Sequence, residues 1–446
     1  MKLSQFNNTI VHKNSFVMYN AYTNKFIAIE PIQNDLIESA KLLGNIDELL
    51  VHDPMLYIHM MEKGLIVNEN RDELEAVKNL RNRVDLENDK LYQLIINPTM
   101  NCNFNCWYCY EDHLKNSKME AATVTHVKRH IEHVVNTMPN IKLLDIGWFG
   151  GEPLLYFKTV VDPIMNFVIE YFKDKNIAFE TGFTTNGFLI NDEMIEKFKT
   201  YNLSGLQITL DGNREAHNSV RFVSKTRGSY DDIVNNIRKL CRNRLNVALR
   251  INYTRSTLEK LEEILQELSP IEAEYRRYLK LSLHKVWQAK DTDLGDRVLD
   301  LVNFFKQNGF YAHKGALPNN VRNSCYADKK NHATINYNGE VFKCTARKFS
   351  SEAKEGALNE DGSISWNEKY FHRLDSKFKN KPCLSCPILP ICNGGCSQHA
   401  IENTEDYCVY NFDDQLKKAI VLDKYLETLE MSAPIIVPET VPAHPW

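Results

Sequence analysis

The chain has no apolar run of about 18 residues, the length a bilayer-spanning helix needs. Its N-terminus, MKLSQFNNTIVHKNSF, carries a lone early lysine and lacks the apolar stretch of a secretion signal. It also has no Lys/Arg block of the kind that grips nucleic acid: 54 basic residues stand against 58 acidic ones, a formal charge of -4. No internal repeat is evident. Together these absences argue against a membrane partner and against nucleic acid as the main partner. They make the cytoplasm the expected compartment, where thiols stay reduced. A hydrophobic content of 43% and a charged content of 25% are those of an ordinary globular protein. At 446 residues the chain has room for a catalytic domain and one or two smaller ones.

What is present is cysteine, in two groups. The run CNFNCWYCY holds Cys102, Cys106 and Cys109; the second group is Cys325, Cys344, Cys383, Cys386, Cys392, Cys396 and Cys408. In a reducing compartment such spacing reads as metal binding rather than as a disulfide frame. Three thiolates spaced by four and three residues can each hold one iron of a cubic cluster and leave the fourth iron without a protein ligand. Tetrahedral zinc is the competing reading, with His113 as the fourth ligand. Cys241 stands apart on the apolar side of IVNNIRKLCRN and reads as a core residue.

Along the chain, residues 1–90 suggest a hairpin around Val17, Tyr19, Phe26 and Ala28 with its turn near Thr23-Asn24-Lys25. Helical spacing follows through Leu36, Ile37, Ala40 and Leu43, then Met55, Ile58 and Met61, and a charged helix from Arg71 to Val84. From 91 to 310 strand and helix alternate. Strands are expected at Gln93–Pro98, Leu143–Phe149, Ile177–Thr184, Gly205–Leu210, Asn246–Tyr253 and Leu279–Val286. Helices are expected at Ala121–Thr137, Tyr156–Lys173, Asp192–Tyr201, Tyr230–Arg242, Leu258–Leu268 and Asp293–Asn308. Six β-α units imply a parallel sheet, as an incomplete barrel or a doubly wound sheet, with its site at the carboxyl ends of the strands. Residues 311–430 make up the next region, and within it 320–410 lose this periodicity and gain cysteine, glycine and proline, so metal clusters are expected to supply the missing cross-links. A helix over Asn411–Leu429 and a Pro-rich tail at 431–446 close the chain.

CNFNCWYCY, placed directly after the first strand, resembles the CxxxCxxC signature of the radical S-adenosylmethionine (SAM) superfamily, with Tyr108 as the aromatic before the last cysteine. WFGGEPLL at Trp148–Leu155 resembles that family's GGEP motif, TTNG at Thr184–Gly187 closes the third strand, and ITLDG at Ile208–Gly212 closes the fourth. The resemblance implies a partial (β/α)6 radical SAM barrel and a SAM site. In that site Gly150 and Gly151 expose backbone groups to the SAM amino group, Glu152 accepts a hydrogen bond from it, and Thr209, Asn186 and Arg221 are further contacts. It also implies the chemistry: SAM chelates the open iron, one electron splits its carbon–sulfur bond, and the 5'-deoxyadenosyl radical takes hydrogen from an unactivated carbon in a closed, largely apolar barrel mouth. Arg250, Asn252 and His284 are strand residues that could face the cavity.

The C-terminal array resembles the SPASM domain of peptide-modifying radical SAM enzymes, which carries two auxiliary 4Fe-4S clusters, so three 4Fe-4S clusters are expected in all. On that pattern Cys383, Cys386, Cys392 and Cys408 complete one auxiliary cluster, and Cys325, Cys344 and Cys396 hold the other. No cysteine follows soon after Cys325, which leaves that cluster an open iron unless Asp328 or His332 fills it. The N-terminal ninety residues resemble the winged-helix-like recognition domain of ribosomal-peptide maturases. The implied partners are a precursor peptide with a leader and a reductant such as flavodoxin or ferredoxin. The implied activity is crosslinking of that peptide, with a Cys thioether suited to the open iron. Alternatives are an anaerobic sulfatase-maturating enzyme, a carbon–carbon crosslinking or epimerising maturase, and, outside enzymes, an iron-sulfur electron carrier or a zinc-stabilised peptide-binding scaffold.

Overall fold

All six expected strands form and lie side by side in an eleven-stranded sheet: Leu91–Ile96, Leu143–Trp148, Ala178–Thr185, Leu203–Leu210, Val247–Tyr253 and Leu279–Lys285. The computed structural model describes residues 1–290, 294–315 and 320–432; Asp293 and the tail from residue 433 lie outside the described residues. A seventh parallel strand, Tyr311–Lys314, pairs with the sixth and extends the sheet beyond the six expected units. On the other side the first strand pairs in parallel with His332–Ile335. Three short antiparallel strands, Glu340–Phe342, Gly356–Leu358 and Ile364–Trp366, complete that end. The seven consecutive parallel strands with helical crossovers form an open β/α barrel.

Alternation along each strand decides what faces where. Leu94, Ile96, Leu144, Ile146, Leu206, Ile208, Leu249, Ile251 and Leu281 are fully buried on the face covered by helices. The alternate positions carry polar side chains on the other face, in register across neighbouring strands. Gln93 faces Asp145, which faces Glu180. Thr209, Arg250, Ser282 and His313 form one row, with Asn252 and His284 in the next row on the same face. The interior of the barrel is therefore polar and charged, which corrects the expectation of a largely apolar mouth.

The helices Ala121–Thr137 and Tyr230–Arg242 form with the expected bounds. The expected Tyr156–Lys173 helix is broken into a 3₁₀ turn, a π turn and Asp162–Phe172. Pro163 has no backbone N–H, so it fits only in the first turn of a helix and sets a new start there. Among the described residues no helix is long and apolar enough to cross a membrane.

Two compact units divide the described residues: residues 89–315 with 331–370, and residues 1–88 with 320–330 and 371–432. This division cuts through the cysteine-rich stretch, because residues 331–370 join the barrel sheet. In the other unit Asn7–His12, Ser15–Asn20 and Lys25–Ile29 form a three-stranded antiparallel sheet, one strand more than the expected hairpin. The helices Pro31–Leu42, Glu48–His52 and Pro54–Glu62 follow. The apolar series Met55, Ile58 and Met61 lies on the exposed side of the last, and Leu56, Tyr57 and Met60 are its buried face. The segment PMLYIHMME has apolar residues all round, so spacing alone could not choose the face. The N-terminal sheet shares one core with the cysteine-rich segment, through Phe6, Ile10, Tyr19, Val77, Ile388, Leu389 and Val421.

Two buried histidines in the barrel unit are held neutral. His130 lies with Nε2 2.8 Å from the Tyr92 hydroxyl and Nδ1 2.7 Å from the Gly362 carbonyl, and burial pulls its pKa from 6.5 to about 4. His217 accepts from the Asp211 amide and is pulled to about 3, again mainly by burial. Between these values and the ordinary 6.5 the unfolded chain binds protons that the native chain does not. Their contribution to stability is thus complete above the unfolded pKa and is lost as pH falls below it, by about 1.4 kcal/mol per pH unit per site. Urea unfolding between pH 4.5 and 6.5 should show this slope, and His130→Gln should lower it by about one proton's worth; an unchanged slope would exclude His130 as a source.

Candidate functional site

The first strand ends at Ile96, and the chain then runs through Asn97 to Asn101 before the three cysteines. This approach segment is seated on the turn after the second strand. The Gly151 amide donates to the Thr99 carbonyl at 3.1 Å and the Glu152 amide to the Asn101 carbonyl at 2.9 Å. Both glycines are needed for the closeness: a Cβ on Gly151 would lie 2.2 Å from the Asn101 carbonyl oxygen, and one on Gly150, whose φ is +99°, 2.4 Å from that of Thr99. The Gly151 N–H is thus spent on the protein itself.

Glu152 is fully buried. One carboxylate oxygen accepts from the Leu154 amide at 3.0 Å and the Thr185 hydroxyl at 2.8 Å; the other accepts from the Asn186 amide at 2.8 Å. Burial raises its pKa against these donors. Among the described residues no cation lies within ion-pair distance of it. Asn186 donates to Asn103 Oδ1 at 2.7 Å, and so ties the third strand's end to the cysteine loop. Burial pushes the Cys102 thiol up to about 12 and Cys106 up to about 11, and raises Cys109. A bound metal reverses that order by stabilising thiolates. His113 places Nε2 3.4 Å from Cys109 Sγ.

The far end of the loop is held by a second network. Tyr108 donates its hydroxyl hydrogen to Asp211 and accepts from Arg221 at 2.8 Å and Asn252 at 3.1 Å. Arg221 Nε also binds Asp211 at 2.6 Å, both side chains nearly buried. A cavity of about 540 Å3 opens beside this network, lined in part by Trp107, Tyr108, Asp211, Asn252 and Thr254. The structure thus brings Gly150, Gly151, Glu152 and Asn186 to one end of the cysteine loop and Tyr108 and Arg221 to the other. Thr209 sits inside the barrel beside Arg250. Asp211, Thr185 and Asn103 were not singled out in the sequence, although Asp211 stands in ITLDG. Glu111 was missed as well: it is 8% exposed, neither carboxylate oxygen has a hydrogen bond among the described residues, and burial pushes it up to about 8.

In the other unit Cys383, Cys386, Cys392 and Cys408 line one small cavity with Tyr407, Tyr410 and Lys417. Among the described residues no three His, Cys, Asp or Glu side chains are grouped to hold a single metal ion. Zinc ligands must converge at about 2.3 Å from one centre, whereas thiolates on separate irons of a cluster stand further apart. Cys325 and Cys396 are linked through Asp328, whose amide binds the Cys325 carbonyl at 3.0 Å and whose carboxylate accepts from Ser397 at 2.9 Å. Asp328 also pairs with Lys377 at 3.6 Å. In the barrel unit Cys344 follows the strand Glu340–Phe342, and His332 has its ring nitrogens 3.0 Å from the Gln93 carbonyl and 3.1 Å from that of Lys343. Asp328 and His332 are therefore both engaged within the fold. Cys241 is buried in the barrel core as expected from its helix position.

Residues 96–268 match the sequence profile of the radical SAM superfamily. Over 368 residues the chain is 24% identical to the radical SAM cyclopropyl synthase TigE of Paramaledivibacter caminithermalis, covering 75% of this chain and 74% of that protein. It is 28% identical over 179 residues to the cysteine-type anaerobic sulfatase-maturating enzyme of Clostridium novyi, but covers only 47% of that enzyme and 39% of this chain. Among solved structures, Streptococcus suis SuiB bound to precursor peptide SuiA has the same fold, with a TM-score of 0.52 at 17% identity, over 91% of this chain and 97% of that one. That coverage leaves too few residues to omit the whole N-terminal module.

Gly151→Ala should unseat the approach to Cys102 and cost about 3 kcal/mol of stability by overpacking, measurable by denaturant unfolding; a cost below about 1 kcal/mol would mean the turn can yield. Asp211→Asn leaves Arg221 buried and unpaired and should cost about 3 kcal/mol. Adding Arg221→Gln should recover part of it, and a purely additive double variant would rule out the coupling.

Proposed function

With a radical SAM domain at residues 96–268 as the premise, we propose that the chain is a maturase that cleaves SAM reductively and crosslinks a precursor peptide. The observation that carries the reading is Glu152, a buried carboxylate with no cation of its own, hydrogen-bonded to the segment that anchors the cysteine loop. Its carboxylate suits the α-ammonium of SAM, and Cys102, Cys106 and Cys109 suit three irons of a 4Fe-4S cluster. Cluster and SAM, when bound, supply a radical able to take hydrogen from an unactivated carbon. The chain's own residues set the stage for it. Gly150 and Gly151 let the loop approach the turn, Asn186 holds Asn103, and the Asp211–Arg221–Tyr108 network fixes the loop's other end. Thr209 and Arg221 are further proposed SAM contacts.

Cys383, Cys386, Cys392 and Cys408 are proposed ligands of an auxiliary 4Fe-4S cluster, and their shared cavity supports this. The three-stranded sheet of the N-terminal module leaves Lys25–Ile29 as an edge strand among the described residues, a place where a leader peptide can add by main-chain pairing. A small electron donor, flavodoxin or ferredoxin, would serve such an enzyme in the cytoplasm. For the bond itself we propose a Cys thioether. Its basis is the thiol missing after Cys325, together with the commitment of Asp328 and His332 to other groups. A second reading, carbon–carbon bond formation, is favoured by the similarity to a cyclopropyl synthase, and sulfatase maturation by the shorter match.

Anaerobic reconstitution should give about twelve irons per chain and reductive release of 5'-deoxyadenosine. Replacing Cys102, Cys106 and Cys109 together by Ala should abolish that release and leave about eight irons. Incorporation of zinc, or about four irons or fewer, would sink the three-cluster reading. With a Cys-containing precursor peptide as substrate, loss of a hydrogen pair and of one alkylatable thiol marks a thioether. Loss of the hydrogen pair with all thiols retained marks the carbon–carbon reading.

A further inference from the structure

Inside the barrel, on the fifth and sixth strands, lies a set of donors that the proposed SAM site does not use. Arg250 and Ser282 face each other in register, and His284 stands two residues beyond Ser282 on the same face. Arg250 makes one side-chain hydrogen bond, from Nε to Asn252 Oδ1 at 2.9 Å. Among the described residues no carboxylate lies within ion-pair distance of its guanidinium. The Asp211 carboxylate, which acts on it from a distance, is already held by Arg221 and Tyr108. The Ser282 hydroxyl and the His284 ring likewise have no hydrogen-bond partner among the described residues. Ser282 is 9% exposed. Burial, followed by the proximity of Arg250 and His313, pulls His284 to about 3, so its ring is neutral and has one N–H to donate. His313 donates Nδ1–H to the Gly315 carbonyl at 2.9 Å, and burial lowers its pKa too.

A partly buried guanidinium without a counter-ion is costly. Here it is flanked by two idle donors on the next strand. One ligand class answers all three: a carboxylate, which takes two hydrogen bonds from a guanidinium fork and has lone pairs left for a hydroxyl and an imidazole N–H. SAM has a carboxylate, but its amino group and carboxylate share one carbon. Glu152, the group suited to that amino group, follows the second strand. The donors sit three and four strands further on, at about 4.8 Å per strand. The donors of the fifth and sixth strands, beyond Thr209 on the fourth, therefore face whatever else occupies the barrel. One row deeper, Lys280 adds a cation that likewise has no ion pair among the described residues.

We propose that Arg250, Ser282 and His284 form a carboxylate-recognition pocket that holds an acidic group of the substrate peptide inside the barrel. That the carboxylate belongs to a peptide rests on the maturase reading; the pocket itself rests on the three donors. Its bearer is either an Asp or Glu side chain or the peptide's own C-terminus.

The test is calorimetric binding to the reconstituted, SAM-loaded protein, with acetyl-Gly-Glu-Gly-amide, its Gln counterpart acetyl-Gly-Gln-Gly-amide, and acetyl-Gly-Gln-Gly with a free C-terminus. The Glu peptide, the free-terminus peptide, or both should bind at least about ten-fold more tightly than the Gln amide, as a buried charge pair allows, and which of them does so identifies the bearer. Arg250→Gln should cut the preference to less than about two-fold. Ser282→Ala and His284→Asn should each weaken it several-fold, and they decide the matter should Arg250→Gln lose its circular dichroism spectrum. Equal binding of all three peptides, or a preference that survives these substitutions, overturns the pocket. So does an Arg250→Gln protein that loses SAM affinity and keeps the peptide preference. Reductive SAM cleavage is scored separately: its absence with the preference intact overturns the maturase reading and leaves the pocket standing.

Discussion

Backbone pairing between Thr99–Asn101 and Gly151–Glu152 is the contact on which the rest of the site depends. It joins the exit of the first strand to the exit of the second, and it forms only because two residues there have no side chain. Everything downstream inherits its position. Glu152 can reach Thr185 and the Asn186 amide only from that turn, and Asn186 reaches Asn103 only because the approach to Cys102 passes beside it. The loop's far end is fixed independently by Tyr108, Asp211 and Arg221. A loop clamped at both ends holds its three thiols in place, which would lower the ordering cost of assembling the proposed cluster.

Charge is distributed unevenly round the barrel interior. Asp145, Glu180 and Glu152 belong to the second and third strands and the turn between them, whereas Arg250 and Lys280 belong to the fifth and sixth. Such a lumen presents a dipolar environment, and a zwitterionic or peptide ligand would be oriented by it rather than merely enclosed. Exclusion of water then depends on the occupant, since the walls themselves are polar.

Much of this was legible in the sequence. The apolar strand faces, the helices at Ala121–Thr137 and Tyr230–Arg242, and the placement of each motif at a strand end follow from periodicity and glycine position. The polar interior was legible too, in the alternation Gln93, Asp145, Glu180, Gln207, Arg250, Lys280, but apolar runs dominate a reading that searches for buried strands. Other features leave weak traces. Tyr311–Lys314 and His332–Ile335 are four residues each, too short for a pattern to stand out, and their pairing depends on distant partners. The link from Asp211 to Tyr108 joins residues 103 apart, and no local spacing announces it. The exposed face of Pro54–Glu62 illustrates the opposite difficulty, in which every side is apolar and only the tertiary core makes the choice.

The strand His332–Ile335 occupies the outer edge of the first barrel strand and leads the sheet on into Glu340–Phe342 and beyond. Hydrogen-bonding groups that would otherwise be available to the seventh strand are thereby used. The cylinder is locked into an unclosed state by its own chain, whatever is bound inside. A closed barrel can be entered only end-on, by something small or by a free terminus threaded through. Closure by strand pairing is what confines entry to the two ends, and a wall left unpaired is free of that confinement.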